Sequence, residues 1–322
     1  MNSENRKCIV CGEAGTYTDL IIKEMMFGTN DEFTYLECSN CGCLQLKEFP
    51  QKLNKYYPKN YYSFSSTKAH FLKTFFVSLR DKHSIGLNNI IGKALTKFFP
   101  APLYLKVFSI INAKLDWKIL DIGSGAGEKL QALKRIGFKN ILGIDPYLDK
   151  DIIYDNGLRI LKKTISEIQE KFDLILFNHS LEHMENPEMI LNEAAKKIVN
   201  GSLIVLRIPV VGCYAWEKYG TLWDGLDAPR HIFIPTKNSL RLLVDRCGLK
   251  IVNEFCDSTS MQFWASEQYQ KGISLIDERS YSVNPNKSIF SKSQIKNFSK
   301  EAEKLNLEGK GDTICFVLKK KM

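Results

Sequence analysis

An α/β architecture built on a parallel sheet is predicted by three features of this 322-residue chain. An apolar strand, Lys118-Ile119-Leu120-Asp121-Ile122, runs into the turn Gly123-Ser124-Gly125-Ala126-Gly127 and then into a helical pattern over 128–136. A second strand, Asn140-Ile141-Leu142-Gly143-Ile144, ends in Asp145. Further strand and helix patterns alternate toward the end of the chain, as they do where crossover helices join parallel strands.

The glycines of the turn let a ligand approach the backbone closely and tolerate positive φ. Asp145 stands where a carboxylate holds both hydroxyls of a ribose. Together they specify an adenosine-type ligand. A dinucleotide is excluded, because its fingerprint needs a third small residue where this chain has Glu128. The remaining pattern, Asp121-Ile122-Gly123-x-Gly125-x-Gly127, resembles the first motif of class I S-adenosylmethionine-dependent methyltransferases. That resemblance implies that Gly123, Gly125 and Gly127 pass the methionine moiety, that Asp121 belongs to the same site and that Asp145 takes the ribose.

Phe172-Asp173-Leu174-Ile175-Leu176-Phe177-Asn178 reads as the fourth strand of the sheet, followed by His179-Ser180-Leu181-Glu182-His183-Met184-Glu185-Asn186-Pro187. The segment is similar to the post-strand motif of the same superfamily. Residues just past the carboxyl ends of parallel strands line the ligand crevice. Asn178 and His179 are therefore expected at the methyl donor, and Glu182 and His183 toward the acceptor.

Composition is that of a chain with a real core, 44% hydrophobic and 25% charged. No apolar run approaches the ~18 residues of a membrane span, and the polar start Met1-Asn2-Ser3-Glu4-Asn5-Arg6 lacks a secretory apolar region. A cytoplasmic location is expected.

Four of the nine cysteines form two knuckles, Cys8-Ile9-Val10-Cys11-Gly12 and Cys38-Ser39-Asn40-Cys41-Gly42. Each C-x-x-C turn aims two thiolates at one point, and two of them close a tetrahedral structural zinc site. Cys8, Cys11, Cys38 and Cys41 are the expected ligands, in a zinc ribbon spanning 1–50. The long gap between knuckles calls for an extended hairpin over 17–36. Cys43 is read as outside the ligand set, and Cys213, Cys247, Cys256 and Cys315 as small buried hydrophobes.

Residues 51–112 are expected to form a basic helical cover and linker. It opens on Tyr56-Tyr57-Pro58-Lys59-Asn60-Tyr61-Tyr62-Ser63-Phe64. Phe71, Leu72, Phe75, Phe76 and Leu79, then Leu87, Ile90, Ile91, Ala94, Leu95 and Phe98, recur at helical spacing. Between 68 and 114, Lys68, Lys73, Arg80, Lys82, Lys93, Lys97, Lys106 and Lys114 stand against Asp81, so most of the chain's net charge of +9 falls on this stretch. Packing on the catalytic domain with solvated lysines is the first reading, peripheral contact with an anionic membrane the second. Nucleic acid comes third, because no recognised nucleic-acid module accompanies the charge.

The order of ribbon, Tyr-rich segment and glycine loop resembles the zinc-ribbon class I methyltransferases of surface-polysaccharide, sugar and secondary-metabolite biosynthesis. The implied fold is a Rossmann-like methyltransferase sheet over 113–322, its last strand antiparallel, with an amino-terminal zinc ribbon and a helical cover. The implied acceptor is a small polar molecule, a sugar or nucleotide sugar. Alternatives are an RNA methyltransferase gripping nucleic acid with the ribbon and basic helices, or an inert zinc-dependent scaffold.

Gly201-Ser202-Leu203-Ile204-Val205-Leu206-Arg207-Ile208-Pro209 reads as the fifth strand and leads into a long segment, 216–231, expected to fold over the acceptor. Methyl transfer to a hydroxyl or carbon needs a proton acceptor, and His231, then His183 and His179, are the imidazoles in reach of the crevice. Glu182 either assists a histidine or binds a divalent ion, the latter disfavoured because no second carboxylate cluster of matching spacing is evident. Arg230 either meets a phosphate or carboxylate of the acceptor or forms a structural ion pair. A helix over 238–247, strands at 249–255 and 312–318, and an insertion over 258–311 complete the domain. Within the insertion, 261–269 reads as a helix with Phe263 and Trp264 in the core, and 284–300 as exposed and partly mobile.

Overall fold

The computed structural model describes residues 6–57 and 71–321. They form two compact units. The first comprises the described residues up to 57 with 181–192 and 206–321, and the second 71–180 with 193–205. Tyr-Pro-rich residues 58–64 and Lys68 lie outside the described residues.

The first unit opens on β1 (Tyr17–Lys23), β2 (Glu32–Cys38) and β3 (Leu44–Leu46). β1 and β2 pair antiparallel from Tyr17 opposite Cys38 to Lys23 opposite Glu32, the hairpin expected between the knuckles. β3 continues the antiparallel order beside β2.

In the second unit, α1 (Phe71–Ser84) and α2 (Ile90–Phe98) occupy the stretch expected to be the helical cover, followed by the short α3 (Lys106–Ile110). Asn89 caps α2 by accepting the Gly92 N–H at 2.7 Å. Gly92 is buried, and a Cβ there would collide with the Leu79 carbonyl, so glycine lets the two helices pack closely. The apolar stripe does not go inside as the helical spacing suggests. Ile90 is 87% exposed and Phe98 78%, and Phe75, Phe76 and Ile91 are exposed as well.

The sheet of this unit holds β4 (Lys118–Ile122), β5 (Asn140–Ile144), β6 (Ile152–Ile153), β7 (Arg159–Leu161) and β8 (Phe172–Asn178). α4 (Glu128–Ile136) follows β4, and α5 (Pro187–Lys196) lies between β8 and β9 (Ile198–Pro209). β4, β5, β7 and β8 are mutually parallel, and β6 pairs antiparallel at the edge of β7. Ile119, Leu120, Leu174, Ile175 and Phe177 are fully buried, which is why these strands read as continuous apolar runs rather than alternating ones.

β9 runs through both units. Its carboxyl end leads the first unit into α6 (Tyr214–Tyr219), β10 (Phe233–Ile234), α7 (Lys237–Arg246), β11 (Leu249–Cys256), α8 (Met261–Gln270), α9 (Lys292–Leu307) and β12 (Thr313–Lys320). The order of the eight-stranded sheet is β11-β12-β9-β8-β4-β5-β7-β6. β11 and β12 pair antiparallel, with a register shift between Ile251 and Asn253. This is the Rossmann-like methyltransferase fold with its last strand inserted antiparallel.

Two features depart from the sequence reading. Residues 284–300 are largely exposed, as expected, but carry a helix the sequence reading did not name, because α9 begins at Lys292 behind a capping box in which Ser291 and Gln294 bond each other's backbone N–H. Its apolar side joins Phe298 and Ile295 to a core of Trp264, Ala265, Tyr269, Leu275 and Phe290. The segment 216–231 is also more structured than a lid loop. Its Trp223 is 1% exposed and donates from Nε1 to Asp312 at 3.1 Å. Among the described residues no helix is long and apolar enough to cross a membrane.

Candidate functional site

In the second unit, the turn between β4 and α4 has Gly123, Gly125 and Gly127 all at positive φ, from 55° to 80°. At Gly127 a Cβ would stand 2.5 Å from the Ile160 side chain, so the turn is closed to larger residues on steric grounds as well. The end of β5 meets this turn. Asp145 accepts the Gly125 N–H and the Tyr147 N–H, each at 2.9 Å, which fixes its carboxylate beside the glycines.

Asp121 lies within β4, 3% exposed, and its Oδ1 is buried with no hydrogen-bond partner. Burial pushes its carboxyl up to about 7, against the pull of Lys129 and with a further push from Asp145. A buried, unsatisfied carboxylate oxygen at a glycine turn fits an incoming ammonium group, and Asp145 fits a ribose. The residues present therefore suit S-adenosylmethionine: Asp121 for the α-amino group, the glycine backbone for the methionine chain and Asp145 for the hydroxyls. Asn178 ends β8, its carbonyl accepting from Lys129 Nζ at 3.4 Å. His179 follows at φ 54°, a left-handed conformation that turns the chain sharply after the strand.

The first unit carries the second constellation. Leu181–His183 forms a single 3-10 turn in which Glu182 is fully buried. The Glu182 carbonyl accepts the Ile232 N–H at 2.8 Å, which brings His231 beside it. His231 Nε2 lies 3.9 Å from Glu182 Oε1 and 3.9 Å from Asp227 Oδ2. The His183 and His231 rings meet edge to face, centroids 4.7 Å apart. Each Nδ1 points at a backbone carbonyl, that of Arg230 at 2.8 Å for His183 and that of Gly225 at 2.9 Å for His231. A carbonyl only accepts, so both Nδ1 atoms carry a proton, and in a neutral ring the lone pair then sits on Nε2; the Tyr57 hydroxyl lies 3.4 Å from His183 Nδ1 as well. Burial, then the neighbouring His183, lowers His231 to about 3, well under the near-neutral value expected of a base in a crevice.

Arg230 takes the structural alternative. It is 1% exposed, with Nη2 3.1 Å from Glu24 and 2.6 Å from Asp227, Nη1 donating to the Tyr56 carbonyl at 3.2 Å, and the guanidinium 4.9 Å above the Phe27 ring. Both charges facing it are carboxylates of this chain. Burial raises Asp227, but the charge and hydrogen bonds of Arg230 outweigh it and hold the carboxyl at about 2.

The four knuckle cysteines are buried within 4.8 Å of one another. Cys8 and Cys41 are 3.8 Å apart at sulfur, Cys11 and Cys38 3.9 Å. A tetrahedron with zinc–sulfur bonds of about 2.3 Å has edges of about 3.8 Å, so the set has the dimensions of a structural zinc site. Cys43 is buried with its thiol on the Leu44 carbonyl, outside the set, and the other four cysteines are buried too.

Sequence reasoning did not find how closely the ribbon is tied to the His231 segment. Tyr35 of β2 donates its hydroxyl to the His231 carbonyl at 2.6 Å. β10 pairs antiparallel with β3 as the fourth strand of the ribbon's own sheet.

A family profile described as a methyltransferase domain matches residues 87–254. The chain belongs to the methyltransferase domain family. Among curated relatives of this methyltransferase, a tRNA U34 carboxymethyltransferase of Colwellia psychrerythraea is 25% identical over 155 residues, 42% of this chain and 46% of the relative. A mitochondrial ubiquinone biosynthesis O-methyltransferase of Candida albicans is 27% identical over 135 residues, 31% of this chain and 41% of the relative. The chain thus spans less than half the length of these two relatives. Among solved structures, a SAM-dependent methyltransferase from Archaeoglobus fulgidus aligns at TM-score 0.40 and 19% identity, over 71% of this chain and 99% of that one. The magnesium protoporphyrin IX methyltransferase of Synechocystis, with bound S-adenosylhomocysteine, aligns at TM-score 0.39 and 15% identity, over 64% and 92%.

Proposed function

We propose that this methyltransferase moves the methyl group of S-adenosylmethionine to a hydroxyl of a small polar acceptor, a sugar or nucleotide sugar. The observation that carries the acceptor chemistry is the pair of imidazoles anchored at Nδ1 on carbonyls, with His231 Nε2 3.9 Å from Glu182 Oε1. When bound, S-adenosylmethionine would supply the methyl group on a sulfonium that leaves as a thioether, and an imidazole of this pair would take the proton that the acceptor hydroxyl gives up. Positioning supplies most of the acceleration. His231, depressed to about 3, is a poor proton acceptor, and its place against Glu182 and the ring of the half-buried His183 suits it to orient that ring.

The sugar assignment rests on the resemblance of ribbon, Tyr-rich segment and glycine loop to the sugar-modifying group. Arg230 lends no support to a nucleotide phosphate, since two carboxylates already neutralise it. The ribbon cysteines are read as holding a structural zinc. On α2, the exposed Ile90, Ile91 and Phe98 share the helix with exposed Lys93 and Lys97, a composition suited to peripheral contact with anionic lipid. Co-sedimentation with phosphatidylserine vesicles that Ile90→Ser/Phe98→Ser leaves unchanged would count against that contact.

Native mass spectrometry with S-adenosylhomocysteine tests the donor, and incubation with nucleotide-sugar pools and labelled S-adenosylmethionine tests the acceptor. Absence of any bound donor overturns the reading. Label appearing in RNA, with binding that collapses between about 50 and 200 mM salt, would replace the sugar by nucleic acid.

A further inference from the structure

We infer that Glu182, His183 and His231 form a divalent-cation site, separate from the ribbon's cysteines. One ligand atom from each lies within 4.8 Å of the others, and the Glu182–His231 separation is 3.9 Å. Donors at about 2.1 Å from one tetrahedral ion stand about 3.4 Å apart, so the trio closes on a metal with side-chain movements on the order of an ångström. Two imidazoles and one carboxylate are the donor set of first-row divalent ions with open positions.

Two further observations point the same way. Both rings are held at Nδ1 by a backbone carbonyl, the arrangement that fixes tautomer and orientation in metal-bound histidines. Glu182 is 0% exposed and its Oε1 lies 3.9 Å from His231 Nε2, so the fold holds a buried carboxylate donor against the imidazoles. The absence of a second carboxylate cluster in the sequence, which argued against a metal, does not bear on this set, because its third ligand comes from a residue 48 positions further along the chain.

The inference rests on the reading of this trio as the acceptor end of the site. The cation would take the acceptor oxygen in an open position and make its hydroxyl more acidic.

The test is equilibrium dialysis of the full chain, its ribbon zinc in place, against Mn2+ and separately against Zn2+, with bound metal counted by native mass spectrometry. The expected result is one ion beyond the ribbon's in the wild type. Its affinity should fall by at least about tenfold in Glu182→Gln and in His183→Asn. S-adenosylhomocysteine binding in the variants reports that they are folded. As a measurement independent of any variant, Mn2+ should broaden the ring-proton NMR signals of His183 and His231 in the wild type. No additional ion with either metal, or an additional ion bound equally by both variants, overturns the site. If the ion binds but no donor-dependent methylation of any hydroxyl acceptor is found, the acceptor reading fails while the site stands. Methylation unaffected by chelators that spare the ribbon gives the reverse.

Discussion

Replacing Arg230 by methionine keeps the side chain's packing against Phe27 and removes its charge, leaving Glu24 and Asp227 facing each other across an apolar interior. An Asp227 carboxyl held at about 2 instead of 3.8 is stabilised by about 2 kcal/mol, and that contribution goes with the guanidinium. Glu24, fully buried, keeps N–H bonds from Phe27 at 2.9 Å and Thr29 at 3.1 Å but loses its counter-charge. Breaking a buried pair in this way costs about 3–5 kcal/mol. Urea unfolding followed by tryptophan fluorescence measures it, since Trp216, Trp223 and Trp264 lie in the same unit as the pair. A folded-state pKa below the unfolded one gives stability present above pH 3.8 and lost as pH falls through about 2. The deficit of Arg230→Met should therefore be full at pH 7 and reduced at pH 3. A loss under about 1 kcal/mol at pH 7, or one that does not shrink in acid, would refute the argument that this ion pair fixes the His231 segment.

Other outcomes follow from the same geometry. With its carboxyl near 7, Asp121 is neutral below that pH and cannot pair with an ammonium; calorimetry should show donor affinity rising from pH 6 to 8, and Asp121→Asn should flatten the dependence. Asp145→Ala should abolish donor binding, whereas His231→Ala should bind S-adenosylhomocysteine normally and lose turnover. Normal turnover in the histidine variant would remove His231 from the machinery. Cys38→Ser should release the ribbon metal, whose binding accounts for about 10–16 kcal/mol in small zinc modules, and expose residues 6–57 to protease; retention of zinc in that variant would show that the four thiolates are not its ligands.

The parts of this molecule that could be read from sequence are those whose cause is local. Positive φ at Gly123, Gly125 and Gly127 follows from the strand-to-helix turn, and the knuckle geometry from C-x-x-C-G. β11 (Leu249–Cys256) and β12 (Thr313–Lys320) lie within two residues of the strands expected at 249–255 and 312–318. The capping box at Ser291 and Gln294 was equally local, yet the Lys, Ser and Asn content of 284–300 masked it. What composition could not reveal is pairing over distance. Glu24 meets Arg230 across 206 positions and Tyr35 meets His231 across 196, and no spacing rule connects such residues. The exposure of Ile90 and Phe98 shows the converse limit, because helical periodicity identifies an apolar stripe without saying what, if anything, covers it.

The Tyr35 hydroxyl, the Glu24 carboxylate and the β3–β10 pairing make the ribbon and the Arg230–His231 segment a single inheritance unit. A ribbon transplanted from a relative that lacks an acid at position 24 would arrive without the carboxylate that Arg230 meets, and a segment transplanted alone would bring an arginine with half its counter-charge missing. Descent should therefore couple position 24 to position 230: lineages that lose the acid should lose the base too, and chimaeras should tolerate exchange of these two regions only as a matched set.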